Sequence, residues 1–251
     1  MSELVLREDK DGLATLTLNR PEKLNAINVE MLIALNAHVE RIAQQTDSVG
    51  LVVVRGAGKC FSAGHDLADI FHGQRPPTPH FEGHAIERLA NLPQPVITAV
   101  HGHCYTGGLE LALTGDLIVA SESARFADTH ARWALLPLWG MSQRLPRRIG
   151  TYKAREMMLT CRTYSGAEAL AMGLANFCFP DASFDKELSA LASAILANSW
   201  FSHRANKRLL LETDGLPIAA GLSHEVYRTA GVGPDARERV AAFNAKKARG
   251  V

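Results

Sequence analysis

The chain has 251 residues, of which 47% are hydrophobic and 21% are charged, so it can bury one substantial core. Its formal net charge is +1 with both signs interspersed, which excludes recruitment of nucleic acid or an anionic membrane by overall charge. The four cysteines form no CxxC pair, and no apolar run approaches the roughly 18 residues of a membrane helix. We therefore expect reduced thiols in a cytoplasmic protein without a signal peptide.

Predicted strands and helices alternate through the first half of the chain. Strands at 4–7 and 14–18, separated by Asp11-Gly12, form a predicted hairpin. Asn28 is a predicted cap for a helix, because the apolar residues of 32–42 recur at spacings of three and four. The elements that follow are a strand at 51–54, a loop at 71–80, a helix over 81–92 and a strand at 96–100.

The second half of the chain changes from mixed structure to helices alone. Its predicted elements are a buried helix over 108–113, a strand at 117–120, a helix over 152–160, and a helix that opens with the capping box Ser165–Glu168 and stops at Gly173. From Ser183 onward the pattern is helical, with Pro234 in the first turn of the last helix. The change near residue 180 predicts a β/α core over 1–180 and a helical region over 181–251.

Several short patterns resemble catalytic motifs but lack essential residues. The segment Gly56-Ala57-Gly58-Lys59 has neither the first glycine nor the Ser/Thr of a P-loop, and Phe61 stands where a dinucleotide fingerprint needs its third glycine. Ser62 is outside a GxSxG elbow, and the histidines form no HExxH pattern. The sequence therefore predicts no nucleotide triphosphate chemistry, no metal site and no redox cofactor.

Two glycine turns carry the strongest functional signal. The segments Cys60–Leu67 and Gly102–Glu110 each place a tight turn after an apolar strand. Two such turns can hold two backbone N–H donors around one oxygen, which stabilises a thioester oxygen when the acyl group becomes an enolate. Glu110 lies three residues past Gly107, so a candidate acid/base is one helical turn from a candidate donor.

These turns, with four further segments, resemble the crotonase (enoyl-CoA hydratase/isomerase) superfamily. The further segments are Asn19–Ile27, Leu92–Gly102, Gly115–Ala120 and Ala167–Leu174. The resemblance implies an α/β fold, in which a spiral of ββα turns forms two roughly perpendicular sheets and a helical C-terminal region builds a homotrimer or homohexamer. It also implies an acyl-CoA thioester as substrate, with no cofactor besides the coenzyme A that the substrate carries.

The resemblance also implies roles for individual residues. The backbone N–H groups of His65 and Gly107 are the expected oxyanion hole, and Glu110 matches the first of two glutamates with which hydratases hold a water molecule. A buried structural carboxylate paired with an arginine is the alternative for Glu110. Expected contacts with coenzyme A or the acyl group fall on Lys23, Leu24, Ala63, Asp66, Leu67, Gly108, Trp139 and Lys246. For Lys246, a favourable interaction with the dipole of its own helix is an equally good explanation.

The chain departs from the hydratase pattern at two positions. His130 stands where the second glutamate is expected, and histidine can exchange a proton near neutral pH, so we expect it to act with Glu110. An oligomer-contact or loop histidine is the alternative; Asp128 would share a face with His130 on a regular strand. Trp139 replaces small residues, either as an apolar wall that raises the pKa of a neighbouring carboxylic acid or as a packing residue.

The sequence leaves two questions open: the role of one segment and the type of reaction. The proline-rich stretch Phe71–His80 is a lid over the acyl tail or an ordinary surface loop. We expect an enoyl-CoA hydratase that adds water across a trans-2-enoyl-CoA through a stabilised enolate. The alternatives are decarboxylation, isomerisation or hydrolysis of an acyl-CoA in the same site, and a catalytically weak protein that binds acyl-CoA without turnover.

Overall fold

A computed structural model describes residues 3–248 and shows nine strands and eleven α-helices in this range. The strands are β1 (Val5–Lys10), β2 (Leu13–Leu18), β3 (Leu51–Gly56), β4 (Val96–Val100), β5 (His103–Tyr105), β6 (Leu117–Ser121), β7 (Arg125–Ala127), β8 (Tyr164–Ser165) and β9 (Phe177–Phe179). The helices are α1 (Val29–Ala43), α2 (Leu67–His72), α3 (Phe81–Ala90), α4 (Gly107–Ala112), α5 (Met141–Ile149), α6 (Thr151–Thr160), α7 (Gly166–Ala171), α8 (Phe184–Leu196), α9 (Trp200–Thr213), α10 (Ile218–Arg228) and α11 (Ala236–Ala248). None of the helices within 3–248 is long and apolar enough to cross a bilayer.

A six-stranded sheet in the order β1-β2-β3-β4-β6-β9 forms the centre of the fold. The β1–β2 hairpin is antiparallel, and its turn residues Asp11 and Gly12 have φ of 50° and 83°, as a tight hairpin turn requires. The other pairings in this sheet are parallel. Alternate residues of β3 face opposite sides, so that Val52 joins the cluster packed on α1 while Val53 joins the cluster packed on α8.

A second, three-stranded sheet in the order β5-β7-β8 positions the functional site. Gly102, with φ of 53°, turns the chain from β4 into β5, and β5 leads directly into α4. Strand β7 ends immediately before Asp128. The sequence did not predict these strands, because segments of two or three residues are too short to show a period.

The structure corrects two other expectations about the elements and adds one helix that was not predicted. Residues Leu67–His72 are helical, so the predicted loop at 71–80 begins two residues later, at Gly73. Helix α5 was not predicted, since it contains Pro146 and strongly basic residues. Pro234 precedes α11, which begins at Ala236, so its predicted place in the first turn of that helix was wrong. The helical pattern from Ser183 onward is confirmed through residue 248.

An ion pair between a buried lysine and a partly exposed aspartate joins α9 to the end of the central sheet. The Lys207 side chain is 6% exposed, and its Nζ lies 2.8 Å from Asp116 Oδ2 and 3.1 Å from the Gln94 carbonyl oxygen. The same Asp116 oxygen accepts the backbone N–H of Val96 at 2.7 Å. Burial lowers the pKa of Lys207, and the charge and hydrogen bond of Asp116 oppose that shift.

Replacing Lys207 by methionine leaves Asp116 without its cation, so we expect the free energy of unfolding to fall by about 2 kcal/mol. Urea denaturation at a fixed protein concentration measures this change. Arg208→Met is the matched control, since the neighbouring Arg208 side chain is 78% exposed and its pair with Glu212 should contribute less than about 0.5 kcal/mol. Equal effects of the two substitutions would contradict this assignment.

Candidate active site

A cavity of about 350 Å³ opens between the two glycine turns, α2 and the segment that follows β7. It brings together most of the residues that the sequence singled out, although they come from distant parts of the chain. Those that line it are Ala63, His65, Leu67, Gly107, Glu110, His130 and Trp139. The size is at the lower end of the range for small-molecule sites.

The two predicted donor turns are adjacent in the structure. A Cβ atom added to Gly107 would come within 3.0 Å of the His65 nitrogen, so only glycine allows this approach. The first turn is held by two bonds at 2.8 Å: Ile27 donates to the Gly64 carbonyl, and Asp66 donates to the Ile27 carbonyl. Within residues 3–248 neither the His65 nor the Gly107 backbone N–H donates a hydrogen bond to a protein acceptor, so both are available to a ligand oxygen.

Thr106 holds the second turn in a strained conformation. Its φ of 52° and ψ of −109° are rare for a residue with a side chain and cost about 1–3 kcal/mol. Its backbone N–H donates to the Ala127 carbonyl at 2.9 Å, and its hydroxyl lies 2.5 Å from the Thr129 hydroxyl. These contacts with the end of β7 therefore fix where α4 begins, and with it the position of the Gly107 backbone N–H.

Glu110 is a buried carboxyl group, 2% exposed, on the first turn of α4. Its Oε1 accepts backbone N–H groups from Trp139 at 2.9 Å and Met141 at 3.1 Å, and its Oε2 lies 3.7 Å from His130 Nε2. Burial raises the pKa of Glu110, while the Met141 bond, the charge of His130 and the Trp139 bond oppose the shift. No arginine of residues 3–248 pairs with Glu110, which argues against the structural ion pair considered above.

His130 faces Glu110 on one side and Asp128 on the other. Asp128 Oδ1 accepts the His130 backbone N–H at 3.1 Å and lies 2.6 Å from His130 Nδ1. Asp128 is 1% exposed and does not line the cavity, whereas His130 does. When the imidazole is neutral, a carboxylate at Nδ1 holds the proton on that nitrogen, and Nε2 is then an acceptor directed at Glu110. His130 therefore lines the cavity beside Glu110, and its role as a proton-exchanging group stays a prediction.

Trp139 forms one wall of the cavity. Its ring lies 4.8 Å from the His65 ring at an interplanar angle of 34°, and the residue is 4% exposed. A Cβ at Gly107 would also come within 2.7 Å of the Trp139 ring, so this ring packs against the turn that carries the second donor. Trp139 is therefore both a packing residue and the inward apolar wall that the sequence offered as alternatives.

Comparison with known proteins fits this arrangement. The family model "Enoyl-CoA hydratase/isomerase" matches residues 8–225. The chain belongs to this family. It is 35% identical to "Probable enoyl-CoA hydratase 1, peroxisomal" from Arabidopsis thaliana over 77% of this chain and 72% of that protein. It is 33% identical to the 1,2-epoxyphenylacetyl-CoA isomerase of Escherichia coli over 98% of this chain and 97% of that protein.

A solved structure extends the comparison to fold and ligand. A putative enoyl-CoA hydratase from Thermobifida fusca in complex with acetoacetyl-CoA has a TM-score of 0.80, with 29% identity over 89% of this chain and 92% of that one. The predicted crotonase-like α/β fold is therefore confirmed. This member of the family is an acyl-CoA enzyme of the crotonase superfamily.

The predicted contacts with coenzyme A lie in different surroundings. Ala63 and Leu67 line the cavity, and the exposed Leu24 beside Lys23 accepts the Ala63 backbone N–H through its carbonyl oxygen at 2.9 Å. Asp66 caps α2 and pairs with Arg20 at 2.6 Å. Gly108 packs on Ser62, and Lys246 is exposed in the last turn of α11. Lys23, Leu24, Asp66, Gly108 and Lys246 do not line the cavity, and all these contacts stay predictions for this family member.

The structure adds cavity residues that the sequence did not reveal. Ile70 of α2 lines the cavity, but the loop after this helix does not, and a lid formed by 71–80 stays a prediction. The further lining residues include Tyr105, Thr129, Arg132, Leu135, Leu136 and Leu138. The sequence signal that could have identified Arg132 as a cavity residue is its position two residues after His130.

One group of side chains has the ligand types that a metal ion accepts. His65 Nε2 lies 3.7 Å from Asp69 Oδ2 and 3.7 Å from Glu82 Oε1. The same Asp69 oxygen already accepts the Val29 backbone N–H at 3.0 Å, at the start of α1. This hydrogen bond gives Asp69 a structural role that needs no ion.

Because burial raises the pKa of Glu110, the folded state binds its proton more tightly than the unfolded chain does. The contribution of Glu110 to the stability of wild type should therefore fall as pH rises from the ordinary carboxyl range toward neutrality. Glu110→Gln removes this loss, and we expect the variant to gain about 1 kcal/mol relative to wild type across that interval. Urea denaturation as a function of pH measures the difference.

The matched control for this prediction is Glu8→Gln, which removes an exposed carboxylate from β1. Its stability should follow the pH dependence of wild type. A wild-type protein that gains stability over Glu110→Gln as pH rises would show that the buried carboxylate is stabilised as an anion, contrary to this prediction.

Proposed function

We propose that this protein is an enoyl-CoA hydratase that adds water across the double bond of a trans-2-enoyl-CoA. The observation that carries the proposal is the approach of Glu110 Oε2 and His130 Nε2 to 3.7 Å inside the cavity that also contains the adjacent turns of His65 and Gly107. Two proton-exchanging groups at this separation can bracket one water molecule and the reacting carbon atoms. The two backbone N–H groups supply the oxyanion hole.

The proton positions follow from the surroundings of each group. Asp128 holds a proton on His130 Nδ1, so His130 Nε2 is free to take a proton from the water molecule. As it does so, the oxygen of that water forms a bond to C3 of the thioester. The electron pair of the double bond moves toward the thioester oxygen, which the two N–H groups stabilise. Glu110, whose burial favours the protonated form, delivers its proton to C2. Proton return from His130 to Glu110 restores the starting state.

Isomerisation is the second candidate for the same site. The Glu110–His130 pair could equally take a proton from one carbon and return one to another, and the E. coli relative that is named an isomerase matches 98% of this chain. The product therefore decides between the two candidates.

We also propose that the protein assembles into a homotrimer or homohexamer and that the coenzyme A moiety extends from the cavity past Lys23 and Leu24. Large apolar side chains on the helical C-terminal region support the assembly, since Ile218, Tyr227 and Phe243 are 82%, 82% and 66% exposed. Such faces on a folded chain usually mark an interface between proteins. A cytoplasmic location and the absence of a further cofactor stay predictions.

Wild type should hydrate short and medium trans-2-enoyl-CoA substrates, measured as loss of the conjugated-thioester absorbance with a hydroxyacyl-CoA product. Glu110→Gln and His130→Ala should each lower kcat/KM by 10²–10⁴-fold, because each removes a proton-transfer group. Glu8→Gln is the control and should retain wild-type activity. A product with a shifted double bond supports isomerisation, and tight binding without turnover would refute both reactions in favour of a binding protein.

Asp128→Asn should lower kcat on the order of 10²-fold, because the amide no longer holds the His130 proton on Nδ1. Dissociation constants for a saturated acyl-CoA, measured by titration calorimetry, should stay within about twofold of wild type, since Asp128 does not line the cavity. Parallel loss of binding and kcat would indicate a merely structural role. Asp9→Asn, an exposed residue of β1, is the control.

A further inference from the structure

The cavity has a cation in its wall that the proposed reaction does not use. Arg132 lies two residues past His130, on the 3-10 turn His130–Trp133, and its side chain lines the same cavity. Among the described residues that line this cavity, Arg132 is the one arginine or lysine. A fixed positive charge at this place bears directly on which acyl groups the cavity can hold.

The guanidinium of Arg132 is almost without protein partners. Arg132 is exposed, and within residues 3–248 its one hydrogen bond goes from Nη2 to the Cys161 carbonyl oxygen at 3.4 Å, the long end of the range for such bonds. Within residues 3–248 no carboxylate oxygen comes within 4.0 Å of it, whereas Arg20 and Arg147 each pair with an aspartate. Most of the donors in this planar fork therefore remain free for a ligand.

A second donor without a partner among the described residues lines the same cavity. Thr163 lines the cavity two residues after Cys161, and its hydroxyl makes no hydrogen bond to any residue in the described part of the chain. The remaining wall near this end is apolar, formed by Trp133, Leu135 and Leu136. Arg132 and Thr163 are both exposed, so water solvates them in the free protein. A hydrocarbon chain end would displace that water without replacing its hydrogen bonds, whereas a carboxylate could accept two parallel bonds from Arg132 and one from Thr163.

We propose that Arg132 and Thr163 form a subsite for a carboxylate at the far end of the acyl group, so that the substrates are thioesters of short dicarboxylic acids. The acyl chain is short because Arg132 and His130 line one cavity of about 350 Å³ and lie two residues apart on the same 3-10 turn. This inference rests on the proposed function in one respect: it places the acyl group in the cavity beside His130.

The test measures binding without requiring turnover. Glutaryl-CoA and pentanoyl-CoA have acyl chains of equal carbon number, and only the first ends in a carboxylate. By titration calorimetry we expect wild type to bind glutaryl-CoA about 10–100-fold more tightly. Arg132→Met should abolish this preference and leave the affinity for pentanoyl-CoA unchanged, which also shows that the variant is folded. Arg132→Lys should retain part of the preference, because lysine keeps the charge without the planar fork.

The matched control is Arg41→Met, which removes the same charge from the exposed last turn of α1 and should retain the full preference. Equal affinities of wild type for the two thioesters, or a preference that survives in Arg132→Met, would overturn the subsite. No binding of either thioester would overturn it as well. A wild type that shows the preference but hydrates no enoyl-CoA would refute the proposed reaction alone and leave the subsite supported.

Discussion

The burial of one carboxyl group governs the arrangement of this site. Glu110 is 2% exposed. Its Oε1 accepts two hydrogen bonds from the backbone N–H groups of Trp139 and Met141. These donors come from the chain that leads into α5, so binding the carboxylate also places the Trp139 ring over the cavity. The contacts that hold Glu110 are therefore the same contacts that exclude water from it, which is why its pKa rises although it accepts two hydrogen bonds.

The second constraint is the close approach of two turns that are distant in sequence. Gly107 can approach the His65 nitrogen only because neither turn places a side chain between them. The strained backbone of Thr106 persists because residues outside the two turns stabilise it. The Ala127 carbonyl accepts the Thr106 N–H, and the Thr129 hydroxyl bonds to the Thr106 hydroxyl. The small second sheet thus connects the predicted oxyanion donors with the segment that carries His130, and a shift of β7 would move both.

The sequence predicted the features that depend on neighbouring residues and missed those that depend on contacts between distant parts of the chain. The β1–β2 hairpin and α1 were predicted because turn residues, the Asn28 cap and apolar spacing are local signals. Strands β5, β7 and β8 were not, since a strand of two or three residues gains its stability from the partner it pairs with. In the site, the glycine turns and Glu110 were found from their motifs. Arg132 was missed, because only the folded structure shows that it lines the cavity and that no carboxylate of residues 3–248 pairs with it.

The charges around His130 are arranged so that the cavity tolerates an anion. Asp128 lies behind the imidazole and its negative charge is engaged at Nδ1, outside the cavity, whereas Arg132 presents its charge to the cavity itself. An ionised Glu110 would repel an anionic acyl group at short range, and the burial that raises the pKa of Glu110 reduces this repulsion by shifting the equilibrium toward the neutral acid. The buried acid and the unpaired guanidinium therefore act in the same direction. The feature that suits Glu110 for delivering a proton also lowers the electrostatic cost of admitting a negatively charged substrate.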